Sequence, residues 1–272
     1  MSAPARKAAS ARVRALMYHD VVASSGQGSG FQGSGAELYA VGAEQFRDHL
    51  DRIEQATGAP PSTVDALVGD KPALGDRWML TFDDGGASAI AAGEELARRG
   101  WRGHFFIVTD LVGTPRFVDW DGVRALAEQG HTIGSHSRSH PQPISGCSWD
   151  QLLDEWSHSA EELSEAIGRP VVTGSIPGGY YSPAVARAAA AAGLKSLFTS
   201  EPVQTLREID GCLLIGRYAV RRDTTAETAS AAAAGAARPW LSQRASWSLR
   251  KAAKRAGGRH YERLRRALLE RG

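Results

Sequence analysis

Residues 78–86 read Trp-Met-Leu-Thr-Phe-Asp-Asp-Gly-Gly, an apolar run that ends in two adjacent carboxylates and two glycines. The run predicts a buried β-strand with Asp83 and Asp84 at its C-terminal end. Side chains alternate between the faces of a strand, but at a frayed strand end both carboxylates can turn toward one cleft. Two negative charges this close together are costly unless a cation or a shared proton relieves them. The stretch therefore predicts a metal site at the end of a strand.

Strand-like and helix-like segments alternate along the rest of the chain, as in a parallel sheet with crossover helices. Strands are predicted at residues 13–18, 78–82, 104–108, 131–135, 171–176, 196–199 and 212–220. Helices are predicted at residues 46–56 and 121–129, between Ser148 and Gly168, and after Ser182-Pro183. The Gly-x-Gly-x-x-Gly pattern of a dinucleotide site is absent. These segments predict an α/β fold of about seven strands, as either an open doubly wound sheet or a closed or distorted barrel. We favour the barrel, with the active site where the strands end.

The composition is typical of one large globular domain, with 272 residues of which 42% are hydrophobic and 23% charged. No apolar run approaches the roughly 20 residues that span a bilayer. The first fourteen residues are polar and basic, without the apolar core of a secretion signal. Cys147 and Cys212 are the only cysteines, too few for a disulfide framework. We therefore expect a cytoplasmic protein.

Positive charge is concentrated near the C-terminus. Residues 238–272 carry a net charge of +9, which leaves −7 on the rest of a chain whose total is +2. Apolar residues interleave with this charge, which predicts a helical tail that is either solvated or in peripheral contact with the anionic inner face of a membrane. No recognition motif for nucleic acid accompanies the charge, so nucleic acid is not expected as a partner. The expected organisation is a flexible N-terminus at 1–12, a domain at 13–237 and a basic helical tail at 238–272.

Two histidines four residues apart, His136 and His140, follow the strand predicted to end at residue 135. This spacing lets both imidazoles face one ion. Two imidazoles, one carboxylate and an open position for water are typical of a catalytic zinc site, and the second carboxylate is then free to act as a base. An isolated Asp-Asp pair is more often a turn, and an isolated His-x-x-x-His is more often structural. Their joint occurrence at strand ends of one domain favours the metal site.

The two motifs together, residues 81–85 and 136–140, resemble the polysaccharide deacetylase family, also called the NodB-homology or carbohydrate esterase 4 domain. Residues 17–20, 105–108 and 130–136 resemble the opening strand of the family, its Phe-Phe strand and the approach to its histidine motif. The resemblance extends over about residues 13–222. It implies a distorted (β/α) barrel that uses a divalent metal, most often zinc, to hydrolyse acetyl groups of N-acetylated sugars or glycans.

The resemblance also implies roles for individual residues. Asp83 would be the general base, and the metal ligands would be Asp84, His136 and His140, with metal-bound water attacking the acetyl carbonyl. The third motif of the family, Arg-x-Pro-x-Gly, aligns with residues 175–179. By position, the backbone N–H of Gly178 would stabilise the oxyanion. Further candidates for substrate contact are Arg138, the aromatic residues Tyr180 and Tyr181, and Trp120 and Trp149.

The chain departs from the family pattern at two places. Ser175 occupies the position of the third-motif arginine, so the group that orients Asp83 is expected to be missing. The late Leu-x-His motif, which supplies a general-acid histidine, is not found, and residues 213–217 read Leu-Leu-Ile-Gly-Arg there. His19, at the end of the first predicted strand, is the candidate replacement acid, with a hydrogen-bonded structural histidine as an equal alternative.

Three functions are compatible with this pattern. The leading one is a metal-dependent deacetylase of an acetylated sugar or glycan, in exopolysaccharide or lipid-linked sugar synthesis. An O-acetyl esterase or non-peptide amidohydrolase is the first alternative, favoured by the missing acid because an alcohol leaves more easily than an amine. A non-catalytic glycan-binding module is the second, but binding alone does not require a base beside a complete set of metal ligands.

Overall fold

The computed structural model describes residues 6–22, 29–68 and 75–249, without the side chains of residues 6–11. The described strands are β1 (Arg6–Tyr18), β2 (Val21–Val22), β3 (Val41–Gly42), β4 (Arg77–Phe82), β5 (His104–Ile107), β6 (Thr132–Ser135), β7 (Thr173–Ser175), β8 (Ser196–Phe198), β9 (Thr205–Ile209), β10 (Cys212–Ile215) and β11 (Arg217–Ala219). Residues 1–5, 23–28 and 69–74 and the tail residues 250–272 lie outside these ranges.

The helices alternate with these strands. They are α1 (Ser34–Glu37), α2 (Ala43–Thr57), α3 (Asp65–Val68), α4 (Ala89–Arg98), α5 (Trp120–Glu128), α6 (Trp149–Ile167), α7 (Pro183–Ala191) and α8 (Ala226–Ala233). Short 3-10 turns lie at Thr109–Leu111, Ile144–Gly146 and Pro177–Gly179. Residues 237–249 form a further helix that reaches the limit of the described range.

Nine strands form one sheet in the order β11-β1-β4-β5-β6-β7-β8-β10-β9. From β11 to β10 the neighbours run parallel, whereas β9 pairs antiparallel with β10 and with the N-terminal part of β1. The predicted α/β fold with parallel strands is therefore confirmed, with nine strands where about seven were expected. Strand β9, at one end of this order, also pairs with β1, the neighbour of the strand at the other end. The barrel stays a prediction.

Two boundaries differ from the sequence-based expectation. Strand β1 begins at Arg6, although residues 1–12 were expected to be flexible, because backbone pairing with β9 extends the strand. The single strand expected at 212–220 is divided at Gly216 into β10 and β11. A side chain at Gly216 would collide with the backbone oxygens of Glu201 and Val203, so only glycine allows this close crossing. Because of this division, β10 pairs with β8 whereas β11 pairs with β1.

The helix at residues 237–249 packs on the domain, although a separate tail was expected from residue 238. Trp240 is 4% exposed, and its indole N–H donates to the carbonyl of Ala232 at 3.0 Å. The amide of Gln243 donates to the carbonyl of Ala219 and accepts from its N–H, both at 2.8 Å, which occupies hydrogen-bonding groups of β11. The packed unit therefore continues beyond the expected boundary. Within the described ranges no helix combines the length and the apolar character that crossing a bilayer requires.

Trp240 and Leu241 offer a test of this packing, because they are neighbours with opposite environments. Leu241 is 64% exposed. We expect Trp240→Ala to lower the free energy of unfolding by about 3–5 kcal/mol, because it leaves a large cavity beside Tyr218. Leu241→Ala should change it by less than about 0.5 kcal/mol. Urea unfolding of both variants measures this difference, and equal effects would contradict the packing.

Candidate active site

The candidate residues meet at the C-terminal edge of the parallel strands. Asp83 and Asp84 follow β4 directly, His136 follows β6, and Ser175 ends β7. Asp84 has a φ of 76°, in the left-handed region, and this turn breaks the alternation of the strand. Both carboxylates therefore face one cleft, as the sequence predicted, and both are buried.

Asp84, His136 and His140 form a cluster whose ligand atoms lie within 4.8 Å of one another. Oδ1 of Asp84 is 3.2 Å from Nε2 of His136 and 3.7 Å from Nε2 of His140. One carboxylate oxygen and two imidazole nitrogens are the donors of many catalytic metal sites. The three residues that the family resemblance assigns to the metal are thus together, and their donor atoms fit a divalent ion.

The two imidazoles are oriented by their surroundings. Nδ1 of His136 lies 3.0 Å from the carbonyl oxygen of Ser175 and donates to it, which directs Nε2 at Asp84. Burial disfavours the charged ring, but Asp83 and Asp84 raise the pKa of His136, so a metal ion would bind Nε2 in place of a proton. The backbone N–H of His140 donates to Oγ of Ser137 at 3.1 Å, within a loop where both residues have positive φ. Burial and the neighbouring charge of His136 lower the pKa of His140 to about 4, so its ring is neutral at neutral pH. Both rings can therefore offer Nε2 to an ion.

Asp83 is held by a buried arginine that the sequence analysis missed. Nη1 of Arg217 donates to Oδ1 of Asp83 at 2.7 Å, and Nη2 donates to Oδ2 at 2.8 Å. The two side chains are 0% and 4% exposed. Burial opposes ionisation, but the charges of Arg217 and His136 and the bonds from Arg217 hold the pKa of Asp83 well below its usual range. Asp83 is therefore a carboxylate.

The surroundings of Arg217 fix its guanidinium. Nε donates to the carbonyl of Thr199 at 3.1 Å, and Nη1 also donates to Oγ1 of Thr81 at 3.2 Å. Nη2 also donates to Oγ of Ser175 at 2.8 Å, and this hydroxyl contacts Oδ2 of Asp83 at 3.2 Å. The guanidinium carbon lies 5.8 Å and 5.9 Å from the ring centres of Phe106 and Phe198. A planar fork with several fixed bonds holds Asp83 in one orientation.

The expectation that Asp83 lacks an orienting arginine is therefore wrong. The family resemblance aligns Ser175 with the third-motif arginine, but Arg217 reaches the same carboxylate from β11. The signal available in the sequence was an arginine between Ile215 and Tyr218 in an apolar strand, since a guanidinium is rarely buried without a partner. That pattern does not identify the partner, which lies 134 residues away.

His19 is near enough to the two carboxylates to affect them electrostatically. Its ring is half-buried, lies 4.5 Å from the ring centre of Tyr39, and has a buried Nδ1 without a hydrogen-bond partner in the described part of the chain. Burial opposes ionisation of Asp84, yet the hydrogen bond from His136 and the nearby charge of His19 lower its pKa. The alternative role, a structural histidine held by hydrogen bonds, is not supported at Nδ1, because the described residues offer this atom no partner.

Three further residues of the predicted site are Arg138, Gly178 and Tyr180. Arg138 is on the surface, where its guanidinium pairs with Asp110 at 3.1 Å and Asp154 at 3.3 Å. Gly178 follows β7 with a φ of 58°, and the ring of Tyr180 packs over its Cα. An oxyanion role for the Gly178 N–H and substrate contacts by Arg138 and Tyr180 stay predictions.

An aromatic pair that the sequence analysis did not single out flanks the histidine cluster. The ring centre of Phe31 lies 4.8 Å from that of His140 and 5.3 Å from that of Phe117. The loop carrying Phe31 rests on Asp20, since a side chain at Gly30 would collide with this buried carboxylate. Asp20 therefore supports the loop. No local pattern distinguishes Phe31 from any other phenylalanine in a glycine-rich loop.

Known proteins resemble this chain in sequence and in fold. Residues 70–197 match the family model described as polysaccharide deacetylase. The peptidoglycan-N-acetylglucosamine deacetylase PgdA of Listeria monocytogenes is 34% identical over 85 residues, which cover 30% of this chain and 17% of PgdA. The Bacillus subtilis protein YxkH, whose name refers to the same family, is 23% identical over 230 residues, covering 83% of this chain and 76% of YxkH.

A solved structure has the same architecture. The Streptococcus pyogenes deacetylase PplD, determined in complex with acetate, is 20% identical and aligns with a TM-score of 0.66 over 79% of this chain and 95% of PplD. At this identity the likeness establishes the fold. The chain spans 17% of the length of PgdA, so the resemblance to that relative concerns one segment.

We expect the buried Arg217–Asp83 pair to have a large effect on the free energy of unfolding. Arg217→Met leaves Asp83 buried without its counter-charge, and we expect the free energy of unfolding to fall by about 3–5 kcal/mol. Arg207→Met is the matched control, because its 2.5 Å pair with Glu201 is partly exposed, and it should cost less than about 1 kcal/mol. Urea unfolding compares the two, and equal losses would contradict a buried, tightly held pair.

Proposed function

The chain belongs to the polysaccharide deacetylase family, and on that premise we propose that it is a metal-dependent hydrolase that removes acetyl groups from an N-acetylated sugar or glycan. One observation carries the proposal: an ionised, arginine-held carboxylate, Asp83, lies beside the Asp84–His136–His140 cluster in the same cleft. Deacetylation breaks a non-peptide C–N bond and needs both a base and an electrophile at the acetyl carbonyl. A glycan-binding module would gain nothing from this costly arrangement.

The residues that would hold the metal are Asp84, His136 and His140. A divalent ion bound there, for which we propose zinc because of the donor set, supplies Lewis acidity toward water and the acetyl carbonyl. The carbonyl of Ser175 keeps Nε2 of His136 directed at the ligand cluster by accepting a hydrogen bond from Nδ1–H. Phe31 and Phe117 form an apolar wall beside His140 that excludes water from one side.

We assign the role of general base to Asp83. Its Oδ2 lies 4.0 Å from Nε2 of His136, so a water beside the ligand cluster is within its reach. A carboxylate with so low a pKa is a weak base and accepts a proton only from water that is already acidified. Arg217 keeps both oxygens oriented while Asp83 receives that proton and the water oxygen attacks the acetyl carbon. Collapse of the tetrahedral intermediate then breaks the C–N bond.

The leaving nitrogen needs a proton, and we assign His19 as its donor. Its buried Nδ1, which has no hydrogen-bond partner among the described residues, and its electrostatic effect on Asp83 and Asp84 support this role. If His19 does not donate, an O-acetyl ester remains a suitable substrate, since an alcohol leaves more easily than an amine. Gly178 is proposed as the backbone donor to the oxyanion because it follows the strand that ends at Ser175.

The location of the protein and the role of its tail are also proposals. We propose that the chain acts in the cytoplasm in exopolysaccharide or lipid-linked sugar synthesis, and that its tail contacts anionic lipid. The +9 charge of residues 238–272 and the exposure of Leu241 and Leu249 support the lipid contact. Since Trp240 and Gln243 belong to the packed domain, a truncation that isolates the tail must begin beyond residue 249.

The proposed mechanism requires Asp83 for acetate release but not for metal binding. We expect Asp83→Asn to reduce acetate release from N-acetyl sugar substrates by about 10²–10⁴-fold, with the metal content of the purified protein unchanged. His140→Ala should lose the metal itself. Asp121→Asn is the control, because Asp121 is on the surface and its side chain is 87% exposed. Acetate release that is undiminished in metal-loaded Asp83→Asn would contradict the assignment.

The role of His19 is measured by comparing two leaving groups. His19→Gln should slow acetate release from an N-acetyl sugar by at least about 10²-fold, whereas a matched O-acetyl sugar should be affected much less. The reason is that an amine leaves only after protonation. Equal losses on both substrates would assign His19 to structure rather than to proton donation.

A further inference from the structure

Arg221 lies at the same edge of the sheet as the proposed base. It follows β11, which pairs with β1, and the N–H of Val220 still donates to the carbonyl of Met17 at 2.9 Å. The N–H of Arg221 donates to Oγ1 of Thr224 at 2.9 Å, and the N–H of Arg222 donates to the carbonyl of Leu38 at 2.9 Å. These bonds determine where the side chain of Arg221 leaves the sheet.

The side chain of Arg221 continues a row that starts in the cleft. Its guanidinium carbon lies 6.0 Å from the ring centre of Tyr39, and that ring centre lies 4.5 Å from the ring centre of His19. His19 is close enough to Asp83 and Asp84 to affect them electrostatically. A sugar whose acetyl group lies between the carboxylates and His19 would therefore have its neighbouring substituents directed along this row.

The guanidinium of Arg221 lacks the partners that the other arginines near the cleft have. Its Nε is buried without a hydrogen-bond partner, and it forms no ion pair with a carboxylate in the described ranges. Arg217 is paired with Asp83, and Arg138 is paired with Asp110. The ring of Tyr39 stabilises the cation over its face but cannot accept the N–H bonds in the guanidinium plane. A buried donor without an acceptor costs free energy unless a ligand supplies that acceptor.

We propose that Arg221 binds a negatively charged group of the substrate, a carboxylate or a phosphate, next to the sugar that is deacetylated. The planar fork of a guanidinium matches both anions through two parallel hydrogen bonds. The placement of the sugar rests on the proposed function, whereas recognition of the anion rests on the unpartnered guanidinium. The substrate is therefore an anionic N-acetylated saccharide rather than a neutral one.

Binding of three sugars tests the proposal without relying on turnover. The probes are N-acetylglucosamine, its 1-phosphate, and N-acetylmuramic acid, which carries a carboxylate. Their dissociation constants are measured by calorimetry on the metal-loaded full chain with Asp83→Asn in every sample, so that no acetate is released. We expect the charged sugars to bind at least about 10-fold more tightly than the neutral one.

Two further substitutions, each combined with Asp83→Asn, test whether Arg221 causes the preference for charged sugars. Arg221→Gln should remove it and leave the affinity for the neutral sugar unchanged. Arg222→Gln is the matched control, because the neighbouring residue is exposed and has the same charge, and it should keep the preference. A stronger preference for the phosphate or for the carboxylate identifies the kind of anion.

Three results would overturn the proposal. They are equal affinities for charged and neutral sugars, a preference that survives Arg221→Gln, and no detectable binding of the charged sugars. An anion held only by the metal would give the second result. Failure of the proposed deacetylation has a different readout, since it would be seen as absent acetate release by the unmodified chain whatever the binding preference.

Discussion

The carboxylate of Asp83 and the guanidinium of Arg217 face each other in a place that water does not reach. Removing an ionised carboxylate from water costs roughly several kcal/mol, and this cost is offset only by an opposite charge with well-aligned hydrogen bonds. Arg217 provides both through two parallel bonds, while Thr199, Thr81 and Ser175 accept its remaining donors. Without the other, each partner would be a buried charge with no counter-charge. The pair therefore links the end of β4 to β11 across the sheet.

The arginine that orients Asp83, the proposed base, comes from an unexpected strand. At residue 175, where the family motif has an arginine, the small side chain of serine leaves space and adds a hydroxyl that bonds both Arg217 and Asp83. Gly216 makes this possible, since it allows the close crossing that separates β10 from β11. The physical requirement is a planar fork facing the carboxylate, and either strand can supply it.

The proposed metal ligands depend on backbone conformations that ordinary strands and helices do not contain. Asp84, Ser137 and His140 all have positive φ, which few residues other than glycine adopt without cost. These turns aim Asp84 and the two imidazoles at one point, and the Ser175 carbonyl selects the nitrogen that faces it. Such strain is tolerated where the surrounding packing is strong, as it is beneath this cleft, where the rings of Tyr18 and Phe105 stack on Phe82.

The residues that were predicted belong to short sequence motifs, whereas those that were missed are defined by burial or by partners far away in the sequence. Asp83, Asp84, His136 and His140 could be predicted because each pair is a short motif at a strand end, and the ends of parallel strands meet at one edge of the sheet. Trp240 was assigned to a separate tail because composition reports charge but not burial.

The sequence by itself determined the α/β class, the parallel order of strands and helices, and the two motifs of the proposed site, because apolar periodicity and short spacings express them locally. Only the tertiary structure decided that Arg217 holds Asp83, that Phe31 flanks the histidines and that the buried Nε of Arg221, next to Tyr39, finds no acceptor among the described residues. These relations join residues far apart in the chain, and they arise from how strands are ordered and which groups are buried together, which no local pattern encodes.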